Sequence, residues 1–200
     1  MEVAPDAAVE AGTPARNRRQ EETFRKVLAA GREMLRETSY GDLTVRAVAK
    51  RANVAPATAY TYFSSKNHLV AEVYLDLVSQ APYFTDVNQA RTARVDSVLR
   101  SLALVVADEP EVAAACTTAL MSGNDDTVLK VRNRIGAEIH RRIVSAIGPD
   151  ADPRSVGALE MTFFGALVQA GSGAITYHEI ADRLTFVVNL ILDTPEPGKP

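Results

Sequence analysis

Two hundred residues, 46% of them apolar, can bury a sizeable core and suit one large domain or two small ones. No apolar run approaches the roughly 18 residues of a membrane span, and the acidic start Met1-Glu-Val-Ala-Pro-Asp lacks the basic and apolar regions of a signal peptide. With Cys116 as its single cysteine the chain excludes an internal disulfide, and a cytoplasmic location is expected. The formal charge of −3 hides a segregation: residues 16–68 hold eleven basic against five acidic side chains, a net of +6. Residues 1–15 carry −3, and residues 69–200 carry eleven basic and seventeen acidic groups, a net of −6. A basic segment on an acidic remainder suits a polyanion met at one end of the molecule. Random scatter of surface charge is the alternative.

Residues 1–15 are rich in Ala, Pro and acid without apolar periodicity, which predicts a disordered tail. Phe24, Val27, Leu28, Met34 and Leu35 then form one stripe at three- and four-residue spacing, predicting an amphipathic helix over about 18–37. Tyr40-Gly-Asp breaks it. Thr44 can cap a second helix, in which Val45, Val48, Ala49 and Ala52 share one face and Arg46 points outward. Asn53 suits a left-handed turn, Val54 plugs the gap behind it, and Pro56 suits the first turn of a third helix. Ala59 and Phe63, four apart, face the core of that helix. Two short helices joined in this way form a helix-turn-helix, whose second member is shaped for the major groove. Taken alone, Thr58–Phe63 also reads as a strand with Tyr60 and Tyr62 on one side. The capped helices on either side and the lack of any partner strand favour the helix.

Ser64 and Ser65 can both cap the next helix, predicted over about 66–79. Further helices are predicted over about 90–107, 111–121, 125–147 with Asn124 as cap and Gly148-Pro149 as stop, 153–170 opened by Asp152-Pro153, and 177–192. The proline-rich residues 194–200 are expected to form a second disordered tail. The fold class is all-α.

On the third helix Pro56, Ala57, Thr58, Tyr60, Thr61 and Tyr62 are left outside the core. Methyls there can meet a thymine methyl, and hydroxyls can reach phosphate or a base edge. Lys66, opening the following helix, can attract phosphate. No arginine or glutamine on the third helix offers a bidentate base contact, so specificity must come from apolar contacts, shape or other elements. Catalysis finds little support. His68, His140 and His178 lack metal-ligand spacing, and Cys116, without basic neighbours, reads as a buried small hydrophobe. There is no glycine-rich phosphate loop and no nucleophile elbow. No enzyme activity, metal or cofactor is expected.

Thr44-Val-Arg-Ala-Val-Ala-Lys-Arg-Ala-Asn-Val, followed by Thr58-Ala-Tyr-Thr-Tyr-Phe-Ser-Ser-Lys-Asn-His-Leu69, strongly resembles the N-terminal domain of TetR-family transcriptional regulators. The match spans about residues 16–79. The resemblance implies a helix-turn-helix DNA-binding domain over 16–79 and a helical effector-binding and dimerisation domain over 80–193. It implies a homodimer reading a palindromic DNA operator; no membrane association is expected, since no apolar run is long enough to span. The reading is a repressor released by a small apolar effector; an activator or ligand-promoted regulator, and an all-α lipid carrier or enzyme domain without a DNA role, are the alternatives. Carried onto matching positions, the family's DNA contacts fall on Thr44, Arg46, Pro56, Ala57, Thr58, Tyr60, Thr61, Tyr62 and Lys66. Four positions depart from the family pattern. Asn53 replaces the usual turn glycine, Ala55 the serine cap at a cost of about 1 kcal/mol, and Ala57 a common glycine. Ala59 replaces the usual leucine, losing roughly 1.5 kcal/mol of burial. Arg16, Arg18 and Arg19 sit where family members often place a DNA-binding arm, or form a solvated end.

For the remainder, Val156, Leu159, Phe163, Leu167, Leu184, Val187, Val188 and Ile191 are expected in a dimer interface formed as a four-helix bundle with a second copy. Ordinary intrachain core is the alternative. Phe84, Leu102, Cys116, Leu120, Met121, Met161 and Phe164 are candidates for an effector pocket, each of which also suits plain core.

Overall fold

A computed structural model describes residues 17–84, 86–122 and 125–193. The tails expected at 1–15 and 194–200, Arg16 and the Asn124 cap lie outside the described residues. Within them the chain folds as α1 (Arg18–Glu37), α2 (Val45–Arg51), α3 (Pro56–Tyr62), α4 (Lys66–Gln80), α5 (Arg91–Ala103), α6 (Pro110–Met121), α7 (Asp126–Ile147), α8 (Pro153–Gly171) and α9 (Tyr177–Leu192).

The helix starts follow from local chemistry. Asn17 and Gln20 form a reciprocal capping box ahead of α1, and Thr176 and Glu179 do the same for α9. Thr44, Ser65 and Asp152 each accept an N–H from the first turn that follows, and proline opens α3, α6 and α8. Two boundaries differ from expectation. Asp125 caps α7, because its carboxylate accepts the Thr127 N–H at 2.9 Å. The helix predicted to reach residue 107 leaves the α form at Ala103 and tightens into a 3-10 turn over Leu104–Val106.

The first three helices close over Phe24, Leu35, Leu43, Val48 and Phe63. α4 buries nine of its fifteen residues, because α1 covers one side while α6 and α7 cover others. The rest is a bundle in which α5 lies against α7 and α9, and α8 against α9. Arg142 of α7 is fully buried; its guanidinium donates to the carbonyls of Ser79 and Ala81 (3.0 and 2.8 Å) and pairs with Glu138 at 2.6 Å. Those bonds satisfy carbonyls at the end of α4, and the charge is compensated where it is buried.

The expected interface stripe needs correction. Val156, Leu159, Phe163, Leu184 and Val188 are buried within this chain, packed in its own core, and Val187 and Ile191 are half-buried. The outward side of α8 and α9 presents Met161, Val168, Phe186 and Leu190 instead. Apolar periodicity marks a buried face, not the element that buries it.

Candidate nucleic-acid interface and internal cavity

α2 and α3 are held in a fixed relation by their turn. Asn53 takes φ 54°, the single positive-φ non-glycine residue among those described, and the next N–H, on Val54, donates back to the Ala49 carbonyl at 2.9 Å. The Thr44 hydroxyl accepts the Ala47 N–H at 3.1 Å. Ala55 provides no side-chain cap, as expected from its methyl. Ala59 is fully buried, and Phe63 ends α3 stacked on Phe24 at 5.0 Å between ring centroids. That anchoring turns Pro56, Ala57, Thr58, Tyr60 and Thr61 to solvent together. The Thr61 hydroxyl is engaged with the Thr58 carbonyl at 2.6 Å.

Two expected contacts have intramolecular roles in this conformation. The Tyr62 ring is half-buried, edge-on to Phe24 at 6.2 Å. The Lys66 ammonium donates to the carbonyls of Tyr40 and Gly41 (3.0 and 3.3 Å) and lies 4.4 Å from the Tyr40 ring centroid, tying α4 to the turn before α2. Thr44 and Arg46 are exposed, and Arg46 borders a shallow groove with Lys50, Asn53 and Pro56. Lys50 was not singled out from sequence, although its four-residue spacing from Arg46 puts both on one face of α2. Arg51, by contrast, faces α1, where it pairs with Glu33 and Glu37. The α2–α3 face therefore presents two cations and a patch of methyls and hydroxyls.

A second site lies inside the bundle. α4, α6, α7, α8 and the start of α9 enclose a cavity of about 260 Å³, walled largely by apolar side chains. Cys116, Leu120, Met121 and Phe164 line it as expected candidates, joined by Leu167. Phe84, Leu102 and Met161 do not. Phe84 packs near Arg94 (5.9 Å), Leu102 is sealed in the core, and Met161, 76% exposed, points outward from α8. Tyr74, Thr117, Arg132 and Tyr177 were missed, since on sequence they read as core or solvated positions. Burial pushes the Cys116 thiol up to about 12 and raises the Tyr74 hydroxyl as well, so both stay protonated. Gly171 ends α8 against Thr117, where a Cβ would overlap the threonine side chain.

The two sites are mechanically joined. Glu109, immediately before α6, accepts bonds from Arg32 and Arg36 of α1. The Arg36 hydrogen bonds, with those of Arg32 behind them, hold the Glu109 carboxyl at about 2. At the other end, Ser65 donates to Asp125 and Ser64 meets Thr127, both at 3.0 Å, fastening the start of α4 to the start of α7. Glu72 of α4, almost fully buried, pairs with Arg134 of α7 at 2.6 Å and faces His68 at 3.7 Å.

Residues 27–73 match the sequence profile of the bacterial regulatory proteins of the tetR family. Over 178 residues the chain is 73% identical to an uncharacterized HTH-type transcriptional regulator of Mycobacterium tuberculosis (strain ATCC 25618 / H37Rv), covering 88% of this chain and 84% of the relative. A counterpart in Mycobacterium bovis gives the same values. Among solved structures, a TetR transcriptional regulator from Rhodococcus sp. RHA1 superposes with a TM-score of 0.75 at 21% identity, over 90% of this chain and all of that one. Thermus thermophilus FadR, a TetR-family transcriptional repressor in complex with lauroyl-CoA, superposes with a TM-score of 0.65 at 14% identity, over 88% of this chain and 98% of that one. The exposed helix-turn-helix, the helical bundle behind it and the mycobacterial relatives agree: the chain belongs to the TetR family of bacterial transcriptional regulators.

Proposed function

We propose that the protein is a repressor that binds a pseudo-palindromic operator as a homodimer in the cytoplasm and is released by a small apolar effector. The DNA face is α3 with Thr44 and Arg46. Thr58, Tyr60 and Thr61, with the Pro56 and Ala57 methylenes and methyl, enter the major groove, while Arg46 and Lys50 meet phosphate. Tyr62 and Lys66 reach phosphate from the rim only by exchanging some of their internal contacts. The second copy docks on the outer faces of α8 and α9, where Met161, Phe186 and Leu190 stand 76, 70 and 60% exposed.

The observation that carries this reading is the Glu109 clasp. α6 walls the cavity, and its first residues are tied to α1 of the DNA-reading half. A ligand that favours another position of α6 therefore favours another position of α1, and two such shifts in a dimer alter the separation of the recognition helices from the roughly 34–36 Å of adjacent half-sites. A 100-fold weakening needs about 2.7 kcal/mol of coupling between the sites. Selection of bound duplexes from a genomic DNA pool tests the reading. Recovery of a two-fold symmetric site whose affinity falls steeply with salt is expected, and failure to bind any duplex at low salt overturns it.

A further inference from the structure

Most polar side chains of the cavity are already engaged. The Thr117 hydroxyl donates to the Ala113 carbonyl at 3.0 Å, and the Tyr177 hydroxyl lies beside it. The Cys116 thiol faces the Val70 carbonyl at 4.0 Å. Arg132 of α7, the one charged side chain among the described residues that line the chamber, has an interaction of its own. Tyr74 differs. It is 5% exposed, lines the same chamber and stays protonated, and its hydroxyl makes no hydrogen bond to a described residue. Buried hydroxyls are nearly always paired, so this one is a donor left for an occupant. Among the described residues no carboxylate lines the chamber, so a ligand cation would find no counter-charge there. A ligand anion would exchange water for walls such as Val106, Leu120, Ile135, Phe164 and Leu167, which offer only apolar contact. At about 260 Å³ the space falls just below the ~300–1,000 Å³ of sites for drug-sized ligands.

From these features, and resting on the reading of the cavity as the effector site, we propose that the effector is a compact uncharged molecule: an apolar body with one carbonyl oxygen that accepts a hydrogen bond from Tyr74. A carbonyl accepts without bringing a donor of its own, which the apolar walls would leave unsatisfied. The short aliphatic or single-ring body fills the remaining walls, and the one hydrogen bond fixes its orientation. A coenzyme A thioester does not fit this pattern, because its phosphates bring several charges and its bulk exceeds the cavity.

Isothermal titration of the full chain and of Tyr74→Phe with heptan-2-one, 2-methylhept-1-ene, heptanoate and heptylamine tests the assignment. The alkene keeps the shape of the ketone but carries a methylene in place of its carbonyl oxygen. Tyr74→Phe removes the hydroxyl and keeps the ring, and its Tm should be nearly unchanged, because the hydroxyl bonds no described residue. The substitution is expected to weaken heptan-2-one about three- to tenfold, the worth of one neutral hydrogen bond. Binding of the alkene should stay the same or tighten. In the unaltered chain the ketone should bind more tightly than either heptanoate or heptylamine. Equal effects of Tyr74→Phe on ketone and alkene, tighter binding of the acid or the amine, or no binding of the ketone overturns the proposal. The order of ketone, acid and amine is measured without any variant, so it decides even where Tyr74→Phe folds poorly. Operator binding is measured on the same preparations: a chain that binds its operator but does not prefer the ketone loses only the carbonyl assignment, whereas one that prefers the ketone but binds no duplex loses the DNA-reading function and keeps the site.

Discussion

Arg36 in the last turn of α1 and Glu109 at the threshold of α6 are joined by two hydrogen bonds of 2.8 Å each. Arg32, one turn earlier, reaches the same carboxylate. One acidic residue thus fastens the cavity wall to the helix that buttresses the DNA-reading pair.

Replacing Glu109 with Gln removes the charge and should cost about 1 kcal/mol, a small value because Arg36 is half-exposed and solvent screens the pair. For a chain of this size that is about 2–4 °C in Tm. The folded carboxyl titrates at about 2, below the ~4.3 of an unfolded glutamate. The clasp therefore contributes fully above the unfolded value and is lost as pH falls from about 4.3 toward 2. Thermal unfolding of both proteins should show a gap at pH 7 that closes across that window; a gap that persists at pH 2 would exclude the ion pair as its source. The same substitution is expected to weaken effector-driven release from the operator.

Arg46→Ala with Lys50→Ala removes two cations from the groove beside the recognition helix. Each phosphate contact contributes about −0.9 to the slope of log K against log salt. The double variant should flatten the slope by about 1.8 per subunit and weaken all duplexes alike, as measured by fluorescence anisotropy on operator and unrelated DNA. Loss confined to the operator would instead make these residues base readers.

The turn between α2 and α3 offers a paired test. Asn53→Val places a β-branched side chain at φ 54° and should destabilise by about 1–2 kcal/mol in urea, whereas Asn53→Gly should be close to neutral. Ala55→Ser supplies the missing cap of α3 and should stabilise by about 0.5–1 kcal/mol. No gain from the serine would mean that its hydroxyl does not reach the first-turn N–H groups.

Phe186→Asp and Leu190→Asp leave the chain's own core intact, because both side chains stand outside it. Sedimentation should show monomers with unchanged helicity and much weakened operator binding. Phe163→Ala, which empties a fully buried site, should instead cost about 3–5 kcal/mol of stability. A dimer that survives both aspartates would move the interface elsewhere.

The contrast between Phe163 and Phe186 marks how far the sequence could be read. Caps and turns were legible because they depend on a few neighbouring residues. Asp152-Pro153, Thr44 and Asn53 act as their chemistry requires, and the family motif followed from them. Long-range partners were not legible. Val156 and Leu159 repeat at the spacing of a buried face, but only the placement of α9 and α7 shows that this chain buries them itself. Arg132 escaped notice because a charged residue on an amphipathic helix reads as solvated, and Tyr74 because an aromatic on an apolar helix reads as core. Both belong to a void that exists only once five helices meet.

α4 has a further consequence. Its foot is fastened to α7 through Ser65, its middle forms part of the cavity wall through Tyr74, and its end is gripped by Arg142. A cut after residue 79 would strip α6 and α7 from a helix with nine buried residues and leave the DNA-reading half with a greasy, unsatisfied flank. The reader cannot then be detached from the sensor and studied alone. Any tight occupant of the cavity must also protect the remote operator-binding helices against melting, so a simple heat ramp on the intact chain becomes a screen for the ligand it answers to.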